Sequence, residues 1–190
     1  MLRSPLLHPG ILSAAAAAGH GSLVLIADAN YPASTAVGPH AQVVHLNLTP
    51  GIVDAVTVLA VLSAALPIEA AHVMSPEVDG PHAGWPDPEI WSRFAAALAA
   101  SGFSGPLQRS PRFDFYAAAA TPAVALVVVT AETALYGNVL LRIGVVELPG
   151  TVPTPSGHQA PAARGGIDGS DRRGDPADQG DDPRRSAEAG

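Results

Sequence analysis

His20 and Asp28 stand on either side of the apolar run Leu23-Val24-Leu25-Ile26, within GHGSLVLIADANYPAS at residues 19–34. An imidazole exchanges a proton near neutrality, and a carboxylate accepts hydrogen bonds at both oxygens. At the two ends of one strand they could form an acid–base site. They could equally be scaffold, a satisfied structural histidine and a turn-capping aspartate. Further along, Arg112 carries a rigid fork of donors. Tyr136-Gly137-Asn138 sets a phenol and an amide around a glycine that allows close backbone approach. The same triplet is a turn signal, and a lone arginine is most often a surface charge.

Other chemistries find little support. The chain has no cysteine, which removes disulfides, thiolate nucleophiles and thiolate metal sites. His8, His40, His45, His72 and His82 show no metal-ligand spacing such as HxxxH on a helix, and His158 lies far downstream. GHGS lacks the third glycine of a dinucleotide fingerprint and precedes its strand instead of following it. The formal net charge is -7 and all ten basic residues are arginine, so a basic nucleic-acid stripe is absent. The N-terminus has a charge at Arg3 and an apolar stretch, but His8-Pro9-Gly10 interrupts it. It reads as the first helix of a cytoplasmic domain in preference to a signal peptide. The runs 55–66 and 117–131 are too short for a membrane span, which needs roughly 20 apolar residues.

The elements that must position these residues alternate. Helix is expected at 10–18, strand at 22–27, strand at 41–48, then a helix with Thr49 as N-cap and Pro50 in its first turn. Strand follows at 68–74, and Asp87-Pro88 is expected to open a second capped helix. FDFYAAAA reads as a short helix, and 123–130 and 139–146 as strands. Trp85 and Trp91, flanking Asp87, are expected in the core first and at a subunit contact second. The strand runs are apolar on both faces, which predicts an α/β sheet covered by helices on both sides. Open sheets of that kind gather ligands at strand ends, where Asp28, Glu132 and residues 136–138 fall. Residues 151–190 hold seven glycines, five prolines and no aromatic residue. Such a segment cannot offset its ordering entropy, so a disordered tail is expected after a domain of residues 1–150.

Four motifs in order, GHG (19–21), ADANYPAS (27–34), RFDFY (112–116) and ETALYGNVLLRIGV (132–145), resemble the D-ribose pyranase / L-fucose mutarotase family, with the fucose branch the nearer. The resemblance spans residues 1–146. It implies a three-layer α/β/α sandwich around a mixed sheet, with subunits in stacked rings forming a decamer and sites at subunit contacts. It also implies interconversion of the ring forms of a free monosaccharide without cofactor or metal. By motif position it makes His20 the catalytic residue and Asp28, Arg112, Tyr136, Gly137 and Asn138 the sugar-binding set. Ser22 stands where members often carry Asp, and Asn30 where some fucose-type members carry His. Both departures bear on which sugar is preferred.

The residue types suit that reaction. Opening a cyclic hemiacetal removes a proton from the anomeric hydroxyl and adds one to the ring oxygen, and reclosure reverses both. One positioned acid–base group contributes roughly 10²–10⁴-fold. Two rival readings remain at this level. One is a sugar-binding or regulatory module without turnover, which would not need a titrating group at His20. The other is a structural assembly protein, for which the alanine-rich composition is the sole argument.

Overall fold

The computed structural model describes residues 2–77, 79 and 81–146. The expected domain boundary near 150 and the tail at 151–190 lie outside the described residues.

The described residues form ten elements. In chain order they are α1 (Pro9–Ala17), β1 (Leu23–Ala27), β2 (Gln42–His45), α2 (Ala55–Ser63), β3 (Ile68–Ser75), α3 (Glu89–Ala100), β4 (Leu107–Pro111), α4 (Arg112–Ala119), β5 (Val124–Val129) and β6 (Val139–Ile143). The six strands make one sheet in the order β2-β5-β1-β6-β3-β4. β1 pairs in parallel with β5, as do β2 with β5 and β3 with β4. β6 lies between β1 and β3 and runs antiparallel to both. The sheet is therefore mixed, with β6 alone reversed.

Strand alternation divides the core into two layers. Val24 and Ile26 of β1, Leu126 and Val128 of β5, and Val139 and Leu141 of β6 face one side, where α1, α2 and α3 cover them. Leu25, Ala27, Val127, Val129 and Leu140 face the other side, with α4 and the segment around Tyr31 and Ala33. This is the expected three-layer arrangement, with three helices on one face and α4 on the other. On α3, Ile90, Trp91, Phe94 and Leu98 form one buried stripe at helical spacing. Burial of side chains such as Phe94 and Leu98 stabilises the fold by about 1.5–3 kcal/mol each.

Helix starts follow local chemistry. His8 Nδ1 accepts from the Ile11 N–H at 3.3 Å, and Pro9 occupies the first turn of α1. Asp54 Oδ1 accepts from the Thr57 N–H at 2.7 Å and caps α2. Thr49-Pro50 therefore does not start that helix; Thr49 bridges Ile52 across a tight turn in which Gly51 has a φ of +80°. Asp87 is likewise not the cap of α3, which begins at Glu89 without a side-chain cap. Its carboxylate is instead drawn to the Arg109 guanidinium on β4. Trp91 is buried as expected, whereas Trp85 is 56 % exposed and stacks on His82 with ring centroids 4.3 Å apart. β2 is shorter than the apolar run at 41–48 implies. β4, LQRSP, has no counterpart among the expected strands, because its polar side chains form a mostly exposed edge.

Candidate functional site

The topology decides which residues can meet. β1 to β5 all point the same way, so the segments following β1, β3, β4 and β5 emerge at one edge of the sheet. Because β6 is reversed, its start lies at that edge too. Asp28 follows β1, Glu77 and His82 follow β3, Arg112 follows β4, and Tyr136 and Asn138 lead into β6. Asp28, Arg112, Tyr136 and Asn138 line one cavity of about 210 Å³ together with Asn30, Tyr31, Met74, Glu77, His82 and Tyr116. That is below the roughly 300–1,000 Å³ of drug-sized pockets and suits a small polar molecule.

At the base of the cavity Asp28 and Asn138 hold each other. The Asp28 N–H donates to Asn138 Oδ1 at 2.8 Å, and Asn138 Nδ2 donates to Asp28 Oδ2 at 2.7 Å. Asp28 Oδ1 accepts from the Asn30 N–H at 2.9 Å. Both side chains are almost fully buried. Burial pushes the Asp28 carboxyl above its ordinary value, and the hydrogen bonds from Asn30 and Asn138 pull it back. The pair ties the end of β1 to the start of β6 and leaves the remaining lone pairs of Asp28 to accept from a ligand.

One wall is aromatic. Tyr31 donates to the Ala36 carbonyl at 2.7 Å, and its ring meets Tyr116 edge-on with centroids 5.5 Å apart. Burial first, then Tyr116 and Asp28, push the Tyr31 hydroxyl well above its usual range, so it keeps its proton. The Arg112 guanidinium lies over the Tyr116 ring, 5.6 Å from its centroid, and Tyr116 raises its pKa further. These two residues are one helical turn apart on α4. Tyr136 also lines the cavity, and its φ of +60° is rare outside glycine. Its carbonyl accepts from Trp91 Nε1 at 3.2 Å, and its hydroxyl is 2.7 Å from His82 Nδ1.

Gly137 does not line this cavity. A Cβ there would lie 2.8 Å from Glu132 Cγ and 2.9 Å from the Ala134 carbonyl oxygen, so the glycine packs the turn itself. Glu132 caps that turn from inside, its Oε1 accepting from the N–H groups of Thr133 and Ala134 at 2.9 Å each.

His20 is elsewhere. It precedes β1, so it sits at the opposite edge of the sheet, on the order of 20 Å from Asp28 at about 3.3 Å per strand residue. There it lines a separate, open depression with Ser22, His40 and Gln42. His20 Nε2 lies 2.9 Å from Glu69 Oε2, both side chains being largely exposed. A single chain therefore unites Asp28, Arg112, Tyr136 and Asn138 but leaves His20 outside. Sequence reasoning missed Tyr116, which its helical spacing from Arg112 could have revealed. It also left His82 unassigned, although that residue follows the carboxyl end of a strand. No spacing rule could have paired Glu69 with His20. Among the described residues no group of three His, Asp or Glu side chains is placed to hold a metal ion, and no helix is long and apolar enough to cross a membrane.

The family described as RbsD / FucU transport protein matches residues 1–146 of the chain. The chain is 36 % identical to the fucose mutarotase of Homo sapiens over 145 residues, which covers 75 % of this chain and 92 % of that protein. It is 31 % identical to the L-fucose mutarotase of Haemophilus influenzae over 152 residues, 76 % of this chain and 95 % of that protein. In fold it is similar to the Streptococcus pneumoniae fucose mutarotase crystallised with L-fucose. The TM-score is 0.65 at 23 % identity, over 77 % of this chain and all of that one.

Proposed function

The chain belongs to the RbsD / FucU transport protein family, and on that premise we propose that it is an isomerase interconverting the ring forms of a free monosaccharide such as L-fucose. The observation that carries this reading is the convergence of Asp28, Arg112, Tyr116, Tyr136 and Asn138 on one small cavity. A buried carboxylate, a guanidinium fork and two phenols are partners for the hydroxyls of one sugar ring, and the aromatic faces suit its C–H face.

The proton transfers fall to His20. Its imidazole suits removal of the anomeric proton and return of a proton to the ring oxygen. Glu69, hydrogen-bonded to one ring nitrogen, leaves the other for the sugar. Because His20 and the Asp28 cavity occupy opposite edges of one sheet, the working site needs His20 from a second copy of the chain. The protein is then a homo-oligomer with sites at subunit contacts, and a decamer built from two stacked pentameric rings is the assembly we propose. Exposed Leu48 and Phe113 offer apolar contact surface. Without such an assembly the cavity would bind sugar but lack His20, which is the binding-module alternative.

NMR exchange spectroscopy on a panel of free sugars tests the activity directly; no acceleration on any of them would refute it. Complementation tests the shared site. His20→Ala and Asp28→Asn are each expected to be inactive, and random co-assembly of the two should restore about one quarter of wild-type activity, because one site in four then receives both intact residues. No recovery in mixed oligomers would show that His20 and Asp28 act within one chain or not at all.

A further inference from the structure

His82 takes no part in the proton transfers or sugar contacts assigned so far, yet its ring lines the same cavity as Asp28 and Arg112. Its Nδ1 is 2.7 Å from the Tyr136 hydroxyl, and it is the hydrogen-bond partner of that hydroxyl among the described residues. The His82 ring meets the Tyr136 ring edge-on at 5.7 Å and leans on Trp85 at 4.3 Å. The segment carrying His82 and Trp85 is pinned to β4 through the ion pair of Asp87 with Arg109, whose guanidinium also lies over Trp91 at 5.1 Å. Trp91 in turn holds the Tyr136 carbonyl. Tyr136 is thus fixed at both ends from outside its own turn: its left-handed backbone by Trp91, its hydroxyl by His82.

Resting on the monosaccharide reading of this cavity, we propose that His82 is a positioning residue that aims the Tyr136 hydroxyl at one sugar hydroxyl. A free phenol O–H swings between two in-plane directions. Bonded to His82 it keeps one. If Nδ1 accepts, the phenol oxygen presents lone pairs to the sugar; if Nδ1–H donates, the phenol proton is released toward it. Either tautomer gives the cavity one defined polarity at that point, which selects the configuration of the hydroxyl placed there. Such a contact is made equally to the ground state and the transition state, so it governs KM and leaves kcat alone.

The test uses two variants of the full chain. His82→Phe keeps the ring and its stacking on Trp85 but removes the hydrogen bond. His82→Asn restores a polar atom near the Nδ1 position. With L-fucose as the probe, His82→Phe should weaken binding about 3- to 10-fold, the effect of one neutral hydrogen bond, with exchange at saturating sugar unchanged. His82→Asn should return to within about two-fold of wild type. In protein labelled with ¹³C-tyrosine, the Cζ resonance of Tyr136 should move in His82→Phe and return in His82→Asn, while those of Tyr31 and Tyr116 report intact packing. Wild-type affinity and an unmoved Tyr136 resonance in His82→Phe would overturn the proposal. So would exchange at saturating sugar that slows by about 10²-fold or more with KM unchanged, which would place the proton transfer on His82 itself. If wild type binds and exchanges sugar but His82→Phe does so equally well, the role of His82 alone fails. If wild type neither binds nor exchanges any sugar, the proposal falls together with the reading it rests on.

Discussion

Asn138→Ala is the sharpest perturbation of the cavity. The Asn138 side chain makes two buried hydrogen bonds, both to Asp28: one accepted from its N–H at 2.8 Å and one donated to its Oδ2 at 2.7 Å. The first is a neutral bond worth about 0.5–1.5 kcal/mol net, and the second, to a charged acceptor, about 1.5–3 kcal/mol. Truncation removes both and strands a buried donor, so a loss of about 2–4 kcal/mol is expected. Urea unfolding at one fixed protein concentration measures it, read as a lower midpoint at an unchanged slope. The double variant Asp28→Ala with Asn138→Ala should cost less than the sum of the two single changes, by a coupling of about 1–3 kcal/mol. Asn138→Asp adds a second carboxylate against Asp28; its stability should fall as pH rises and the two can no longer share a proton. An Asn138→Ala protein within about 0.5 kcal/mol of wild type, where ordinary surface changes fall, would refute the view that this pair joins β1 to β6.

His20→Ala should lower the anomer exchange rate roughly 10²–10⁴-fold with a much smaller change in sugar affinity; exchange NMR beside a binding titration separates the two. Gly137→Ala should destabilise by about 1–3 kcal/mol, because its Cβ would strike Glu132 Cγ and the Ala134 carbonyl, a shift visible in the urea midpoint. His72, on β3, has its pKa lowered first by burial and then by Arg142. Its contribution to stability is therefore fully present above the unfolded value of about 6.5 and lost as pH falls through the lower folded value. His72→Leu should flatten the decline in unfolding midpoint between about pH 7 and pH 5. Removal of residues 151–190 should leave melting temperature and exchange rate nearly unchanged, since their composition cannot build a core; a large drop in melting temperature would show that they pack on the domain.

The sequence alone was enough for the strands with the strongest local signal. β1 and β5 are runs of Val, Leu, Ile and Ala buried on both faces, and β6 is buried at every position but Arg142, a pattern with few other outcomes. The motifs around Asp28, Arg112, Tyr136 and Asn138 likewise marked residues that converge on the cavity. Where local signals were weak or shared, tertiary contacts decided. Thr49 and Asp87 carry the chemistry of a helix cap, but Asp54 caps α2 and Arg109 claims Asp87. β4 has no apolar alternation and exists as a strand because β3 supplies its hydrogen bonds. Above all, His20 and Asp28 are near in sequence and far in space. A strand carries its two ends to opposite edges of the sheet, whereas β4 and the reversed β6 bring Arg112 and Asn138, from distant parts of the chain, to the edge where Asp28 lies. Spacing along a chain sets which face a side chain takes; strand direction, which depends on the pairing of the whole sheet, sets which residues meet.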